Sequence, residues 1–294
     1  MTSASIIERI AGAPISWGVC EAPGWGHEMK PARVLGEMRE LGLRSTELGP
    51  TGYLGATAQD VRERIVSAYV RVIGGFLPVP MHVDPNLDLT EATDAIATLA
   101  AVGSEVVVLA AQSGDGSYDR KVLMSDEEWT VLLDNLDRLQ RVVREHGMTP
   151  TLHPHVGTAI EDRDTVLRLL DSSDIALCLD TGHLLIGGMQ PLDLLAAAAD
   201  RIAHVHLKDV NETVAATVAA GDASYIGAVR QGLYTPLGDG DLDIAALVTA
   251  LEQVGYQGRY VLEQDCALDA EPAPGEGPML DVRRSIDFLT SIAS

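Results

Sequence analysis

The chain has 294 residues, of which 46% are hydrophobic and 22% charged, so it carries enough apolar material to bury a full core. Its formal net charge of -22, from 43 acidic and 21 basic residues, repels the phosphates of nucleic acids and anionic lipids, and we expect neither nucleic-acid nor membrane partners. No run of about 18 apolar residues is available to span a bilayer, residues 1–10 lack the apolar stretch of a signal peptide, and the scattered cysteines predict reduced thiols, so we expect a cytoplasmic protein.

Short β-branched or apolar runs alternate with longer segments whose apolar residues recur every three or four positions. The short runs predict strands, and the longer segments predict helices with one apolar face. The predicted strands are Ile10–Ser16, Ser45–Leu48, Val70–Phe76, Glu105–Leu109, Thr149–His153, Ile175–Leu179, Ile202–His206 and Tyr260–Glu263. The predicted helices are Pro31–Glu40, Ala58–Ser67, Thr90–Ala101, Asp126–His146, Asp162–Leu170, Pro191–Ala199, Asp243–Val254 and Met279–Ile292.

This alternation of eight strands with helices predicts a parallel sheet, because each crossover between parallel strands is covered by a helix. Eight such units close a barrel, whereas an open doubly wound sheet usually has about five or six. The first strand is not followed by the GxGxxG turn of a dinucleotide-binding fold. The sequence therefore predicts an α/β protein, a (β/α)8 TIM barrel in which residues 1–294 form a single domain.

Two connections are longer than a minimal barrel requires. Residues 18–30 follow the first predicted strand, and residues 208–242 follow the seventh. Both leave the C-terminal face of the barrel, where such folds place their active sites. Long connections in a compact domain are typical of active-site lids, and we expect these two to serve either a substrate or a neighbouring subunit.

The histidines concentrate at the ends of the later strands. Five of the eight lie between residues 153 and 206, at or just past predicted strand ends: His153, His155, His183, His204 and His206. Asp180 and Glu263 each end an apolar run, and a carboxylate there is costly to bury unless it is paired with a cation. A salt bridge to a neighbouring helix is the alternative for these two acids. Together the strand ends predict an open metal site on a rigid scaffold.

The alternation of side chains along a strand indicates which histidine of one pair reaches the barrel mouth, but it does not decide the other pair. His204 and His206 lie on the same side of their strand, so His206 can reach the barrel mouth while His204 lies one layer deeper. For His153 and His155 the pattern does not decide which is the ligand. Two imidazoles and two carboxylates suit Mn²⁺, Co²⁺, Zn²⁺ or Fe²⁺ rather than Ca²⁺, which takes oxygen ligands alone.

At these residues the sequence resembles the sugar phosphate isomerase/epimerase superfamily of xylose isomerase-like TIM barrels. The resemblance covers nearly the whole chain and is carried by the motifs Ala13–Gly18, Ser45–Gly49, Phe76–His82, Asp180–His183, His204–Asp209, Pro236–Asp241 and Glu263–Asp265. Within that group, His153-Pro-His-Val-Gly-Thr158 resembles the inosose dehydratases, which act on 2-keto-myo-inositol in inositol catabolism.

The resemblance implies one divalent metal ion held by His153, Asp180, His206 and Glu263, with Mn²⁺ or Co²⁺ first and Zn²⁺, Fe²⁺ or Mg²⁺ as alternatives. It also implies a homo-oligomer. Most isomerases and epimerases of the group have glutamate where this chain has His153, so the pair of carboxylates that acts on opposite faces of one carbon is lost. That departure favours elimination over epimerisation.

The working hypothesis is a metal-dependent lyase that removes water from a cyclic polyhydroxy ketone by taking the α proton and expelling the β hydroxyl. We expect His155 or Glu263 to transfer protons, with Lys208 as a polar partner. The expected substrate contacts are Glu47, His82 and His183, with Trp17 and Trp25 as an apolar wall against the ring. Plain packing is the alternative for the two tryptophans. His183 could instead support a metal ligand, and His82 could instead hydrogen-bond the backbone.

Other functions remain in competition with dehydration. A ketose or sugar isomerase or epimerase would leave the mass of its substrate unchanged. A DNA-repair endonuclease, which shares this fold, needs a basic groove that a charge of -22 argues against. A non-catalytic sugar-binding subunit would not need the complete set of metal-binding side chains.

Overall fold

The buried β-branched and apolar runs of the sequence form the strands of one parallel sheet. The computed structural model describes residues 5–116 and 118–293. In chain order its strands are β1 (Ile10–Gly12), β2 (Ser45–Glu47), β3 (Arg71–Gly74), β4 (Phe76–Val79), β5 (Val106–Ala111), β6 (Thr149–Leu152), β7 (Ala176–Asp180), β8 (Ile202–Leu207), β9 (Asp209–Val210), β10 (Tyr234–Thr235) and β11 (Tyr260–Leu262). Within these ranges, β9 and β10 pair only with each other, as an antiparallel ribbon.

The remaining strands follow one another around the sheet in the order β3-β2-β1-β11-β8-β7-β6-β5-β4. The two ends of this order, β3 and β4, are halves of a single barrel strand interrupted at Gly75. One half pairs with β2 and the other with β5, so the sheet closes into an eight-position barrel through that strand. A Cβ on Gly75 would lie 2.6 Å from Leu99 Cδ2, and glycine is what allows the strand to pass so close to a helix. The predicted (β/α)8 barrel is confirmed.

Helices cover the outside of the barrel, and several of them begin at capping residues that can be recognised in the sequence. They are α1 (Ile6–Arg9), α2 (Pro31–Glu40), α3 (Ala58–Ala68), α4 (Thr90–Ala101), α5 (Asp126–Glu145), α6 (Arg163–Ser172), α7 (Thr181–Ile186), α8 (Pro191–Ala198), α9 (Glu212–Ala219), α10 (Tyr225–Arg230), α11 (Ile244–Gln253) and α12 (Pro278–Ile292). In α5, Ser125 and Glu128 form a reciprocal capping box, and the residues at helical spacing from Leu132 to Val143 pack into the core. None of the helices described is long and apolar enough to cross a membrane.

The structure corrects three of the predicted elements. The first strand ends at Gly12 rather than Ser16, because Pro14 fixes its own φ and starts a 3-10 helix, Pro14–Trp17. The third strand continues beyond Phe76 to Val79. Residues 208–242 are not a plain loop but contain the short ribbon and the helices α9 and α10.

Candidate active site

Four polar side chains at neighbouring strand ends meet at one end of the barrel. His153 follows β6, Asp180 ends β7, His206 lies near the end of β8 and Glu263 follows β11. The sheet register places Asp180 beside His206, and one potential ligand atom from each of the four residues lies within 4.8 Å of the others. The Asp180 Oδ2 atom is 3.3 Å from His153 Nε2 and 3.6 Å from His206 Nδ1. We call these four residues the ligand cluster.

The donor atoms of the ligand cluster fit a divalent cation. His206 Nε2 lies 2.9 Å from Glu47 Oε1 and donates to it, so Nδ1 is the nitrogen directed at the ligand cluster. Burial would lower the pKa of His206, but Glu263 and Glu47 help to raise it well above its usual value. Within the described residues, His206 Nδ1 and Glu263 Oε2 have no hydrogen-bond partner although they are in close contact with each other. A buried ring nitrogen and a carboxylate oxygen that face one point need a cation between them, either a proton or a metal ion that replaces it. Imidazole and carboxylate ligands together are typical of Mn²⁺, Co²⁺, Zn²⁺ and Fe²⁺ sites.

Two other groups of side chains are close enough to hold a metal, but their chemistry fits less well. In the first, Cys178 joins His153 and His206, yet burial raises the pKa of the Cys178 thiol to about 12 and keeps it protonated. In the second, Glu47 joins His204 and His206, but both histidines present a protonated Nε2 to Glu47 Oε1, at 2.8 and 2.9 Å. The ligand cluster is therefore the best candidate among the described residues.

Glu47 supports the ligand cluster through a hydrogen bond with His206. Its Oε1 atom accepts a hydrogen bond from His206 and a second from His204, which lies one layer deeper in the barrel, as the sequence predicts. Burial alone would raise the pKa of Glu47, but His206 and His204 outweigh burial and hold this pKa well below its usual value. An ionised carboxylate on the outer nitrogen fixes the tautomer of a histidine ligand and raises its basicity.

Asp180 is oriented by the helix that it starts. Its Oδ1 atom caps α7 by accepting from the backbone N–H groups of Gly182 and His183, at 2.9 and 2.8 Å, so Oδ2 remains directed at the ligand cluster. Burial would raise the pKa of Asp180, but the charge of Lys208 and the neighbouring imidazoles hold it well below the usual value. Asp180 therefore stays ionised.

Lys208 is a buried cation among carboxylates. Its Nζ atom lies 2.5 Å from Asp265 Oδ1, 3.4 Å from Glu263 Oε1 and 3.7 Å from Asp180 Oδ2. Burial would lower the pKa of Lys208, but Asp265, Glu263 and Asp180 outweigh it and raise the pKa well above its usual value. Lys208 therefore stays charged and compensates the negative charge of the cluster.

His155 presents a neutral ring to the cavity. Its Nδ1 atom donates to the Val156 carbonyl oxygen at 2.7 Å, which leaves Nε2 as the basic nitrogen. Its ring stacks on that of His183 with centroids 3.7 Å apart. Burial, with smaller contributions from His153 and Lys208, lowers the pKa of His155 to about 3. His155 therefore keeps a neutral ring with a free lone pair at Nε2, which can accept a hydrogen bond, throughout the physiological pH range.

A cavity of about 1100 Å³ opens directly onto these groups. Its polar lining includes Glu47, His153, His155, Glu263 and Asp265. Its aromatic lining consists of Trp25, Phe76, Tyr118 and Tyr225. A space of this size, mostly apolar with a few convergent polar groups, is typical of a small-molecule site.

The two long connections predicted from the sequence meet at this cavity. Residues 18–30 supply Trp25, and residues 208–242 supply Tyr225, whose ring centroid is 6.3 Å from that of Trp25. Arg230 Nη2 donates to the carbonyl oxygens of Gly24 and Trp25, each at 3.0 Å, and so ties one connection to the other. Tyr225 also donates from its hydroxyl to Asp265 Oδ2 at 2.7 Å.

The structure separates the residues predicted from sequence into three positions. Glu47, His153, His155 and Glu263 line the cavity, whereas Asp180, His183, His206 and Lys208 are buried immediately behind it. Trp17 and His82 lie outside the described cavity wall. Trp17 is fully buried in the core and donates its indole N–H to Glu37 at 2.8 Å, which is the arrangement that its packing alternative describes. His82 is buried near Glu128 and Arg120, and burial lowers its pKa.

Sequence reasoning missed three residues of the cavity wall. Asp265 lies two positions after Glu263 in the Glu-Gln-Asp motif, and that spacing was a usable signal. Tyr118 lies in an irregular connection, and Tyr225 begins the short helix α10, so no periodicity shows which side chains face a site. Only the packing of the connections brings these two rings to His155, with centroids 4.9 and 6.3 Å away.

A protein-family model described as a xylose isomerase-like TIM barrel matches residues 35–292. The chain belongs to the xylose isomerase-like TIM barrel family. The matched region contains the whole ligand cluster, together with Glu47, His155, Lys208 and Asp265.

Curated relatives and solved structures resemble the chain over most of its length. It is 31% identical over 270 residues to an inosose dehydratase of Geobacillus kaustophilus, covering 87% of each protein. Among solved structures, 3-keto-D-glucoside 4-epimerase YcjR of E. coli has a TM-score of 0.67 and 19% identity, covering 96% of this chain and 99% of that one. A zinc-bound IOLI protein has a TM-score of 0.66 and 15% identity, covering 97% and 98%. At these identities the two structures show the shared fold alone.

Proposed function

We propose that the protein is a metal-dependent hydro-lyase that removes water from a cyclic polyhydroxy ketone such as 2-keto-myo-inositol. The observation that carries this proposal is the meeting of the ligand cluster and the unprotonated Nε2 of His155 at one cavity of about 1100 Å³. The inosose dehydratase of Geobacillus kaustophilus, at 31% identity over 87% of this chain, supports the choice of substrate.

The ligand cluster would hold one divalent metal. When bound, such an ion supplies Lewis-acid polarisation of a carbonyl oxygen and so makes the neighbouring C–H bond more acidic. Mn²⁺ and Co²⁺ are our first candidates, and the zinc of the IOLI protein keeps Zn²⁺ among them. Glu47 would set the tautomer of His206, and Lys208 would compensate the charge of the two carboxylate ligands.

Proton transfer is assigned to the groups that the cavity exposes. His155 Nε2 takes the proton from the carbon α to the ketone, and the C–H electron pair forms the new C=C bond as hydroxide leaves the β carbon. The hydroxide leaving the β carbon takes up that proton from the His155 imidazolium, which returns to its neutral state, while Glu263, whose Oε1 atom lies 3.4 Å from the charged Lys208, accepts a hydrogen bond from the departing hydroxyl. Water is the second product, so atoms and charges balance.

His153 is the residue that favours elimination over the nearest alternative. An epimerase that works with two carboxylates on opposite faces of one carbon needs a second acid in the ligand cluster at this position. Here that place is taken by an imidazole, 3.3 Å from Asp180, and the opposite acid is missing. An isomerase or epimerase of ketoses remains the second candidate, and a non-catalytic sugar-binding subunit the third.

The test is mass spectrometry of 2-keto-myo-inositol incubated with the metal-loaded protein, beside a sample treated with a chelator. We expect loss of one water in the loaded sample and an unchanged substrate in the chelated one. A product of unchanged mass would favour isomerisation, and an inert loaded sample would contradict the proposal.

A further inference from the structure

Asp265 is an acid at the cavity wall with no assigned task. It lies two residues after Glu263, is only 6% exposed and lines the cavity, but it belongs to none of the potential metal-binding groups found in the described residues. It is the third carboxylate around Lys208, after Asp180 and Glu263. Burying a third carboxylate beside one lysine costs desolvation free energy, so a structural role alone explains the presence of Asp265 poorly.

Both oxygens of Asp265 are held by groups from different parts of the chain. Lys208, just beyond β8, holds Oδ1 at 2.5 Å, and Tyr225, at the start of α10, donates to Oδ2 at 2.7 Å. The Tyr225 hydroxyl is in turn 3.0 Å from the hydroxyl of Tyr234. The carboxylate is therefore fixed in the plane that these contacts define, before any ligand arrives.

This arrangement leaves hydrogen-bonding capacity on a side chain that lines the cavity. An ionised carboxylate has about four acceptor positions, and the contacts with Lys208 and Tyr225 occupy two of them. Asp265 offers no donor, so the groups that it can recognise are donors such as hydroxyls. A buried acceptor left unpaired penalises a ligand that lacks the matching hydroxyl, and this is a strong basis for specificity.

We propose that Asp265 is the specificity-determining acceptor for hydroxyl groups of a bound polyol, and that Tyr225 is its positioning residue. This inference rests on the proposed function, because it assigns part of the recognition of the same substrate. It also couples binding to the long connection 208–242, since Tyr225 reaches Asp265 only when α10 is packed on the barrel.

The test is calorimetric titration of the metal-loaded protein with 2-keto-myo-inositol and with its monodeoxy analogues. In the wild type we expect the loss of one particular hydroxyl to weaken binding roughly 10- to 100-fold, as for a hydrogen bond to a charged group. In Asp265→Asn that penalty should largely disappear. Tyr225→Phe, which removes one hydroxyl and keeps the ring, should reduce it part of the way.

Tyr256→Phe is the matched control, because its hydroxyl is bonded to the Arg259 carbonyl oxygen, away from the cavity lining. It should keep the wild-type penalty. Equal penalties in the wild type and Asp265→Asn would overturn the inference, even if the enzyme dehydrates the ketone. Asp265-dependent binding without water loss would support the inference and contradict the dehydration. A wild type that binds none of these ligands would overturn both.

Discussion

At the scale of single residues, His153 and His155 show how two histidines one residue apart acquire different chemistry. His153 directs Nε2 at Asp180, whereas His155 uses Nδ1 to bond the Val156 carbonyl and stacks on His183. The sequence leaves the ligand undecided, because alternation is interrupted where β6 ends at Leu152. The partners of the ring nitrogens favour His153, which we propose as the ligand.

We expect His153→Ala and His155→Ala to differ in metal content. The first change removes a member of the ligand cluster. The second removes a ring that lies outside the ligand cluster and whose Nδ1 bonds the Val156 carbonyl oxygen. After loading with Mn²⁺ and desalting, elemental analysis should find most of the metal lost from His153→Ala and about one equivalent retained in His155→Ala. Loss of metal from His155→Ala alone would reverse the assignment.

Glu47 gives a second test at this scale. Glu47→Gln removes the charge that accepts from both His204 and His206, and changes of this kind behind a metal ligand typically weaken binding about 10- to 100-fold. Competition with a coloured chelator measures the affinity. Glu37→Gln is the control, since Glu37 is also buried and hydrogen-bonded, but to Trp17 and Arg33. Equal affinities in the two variants would show that Glu47 does not support the metal.

The lowered pKa of His155 predicts a pH-dependent stability. Below its ordinary pKa of about 6.5, the unfolded chain binds a proton that the folded chain refuses until about pH 3, so stability falls as the pH falls through that window. Between about pH 7.5 and 5.5, this one group should cost the metal-free protein about 1 kcal/mol. In His155→Gln the pH-dependent loss, measured by urea unfolding, should be smaller by that amount. An identical loss in both proteins would contradict the assignment of a neutral, buried His155.

At the scale of elements, the regular parts of the barrel were predictable and the connections were not. Strands and helices follow from periodicity, and Ser125 with Glu128 marks the start of α5 within one residue. The sequence gives the length of residues 208–242 and their place after β8, but the helices inside have only weak apolar faces. Their positions depend on tertiary contacts such as Arg230 with Gly24 and Trp25, which no local pattern encodes.

That contact can be tested by hydrogen exchange. Arg230→Ala removes both bonds between the two long connections, worth about 1 kcal/mol together, and exchange in residues 20–26 and 211–232 should become roughly fivefold faster. Arg62→Ala is the control, because Arg62 also bonds a backbone carbonyl, that of Ala101, but between α3 and α4. Unchanged exchange in Arg230→Ala would show that the connections hold their positions independently.

At the scale of the whole molecule, the fold follows from repetition: eight strand positions, each followed by a helix, leave few closed arrangements. The interruption of one barrel strand at Gly75, between β3 and β4, cannot be predicted from the sequence, because it depends on how closely Leu99 packs against Gly75. Polar residues at strand ends located half of the candidate site, since parallel strands place their C-terminal ends at one face. In the aromatic half, Trp25 was a candidate from the sequence, whereas Tyr118 and Tyr225 needed the packed connections. The homo-oligomer expected from the sequence stays a prediction.

The measurement that tests the central claim most directly is anomalous X-ray scattering from crystals grown with Mn²⁺. We predict one strong peak among His153, Asp180, His206 and Glu263, at roughly 2.0–2.3 Å from one atom of each, with His155 Nε2 outside that shell. A peak between Glu47 and His204, a peak bonded to His155, or the absence of any peak at the strand ends would contradict the account.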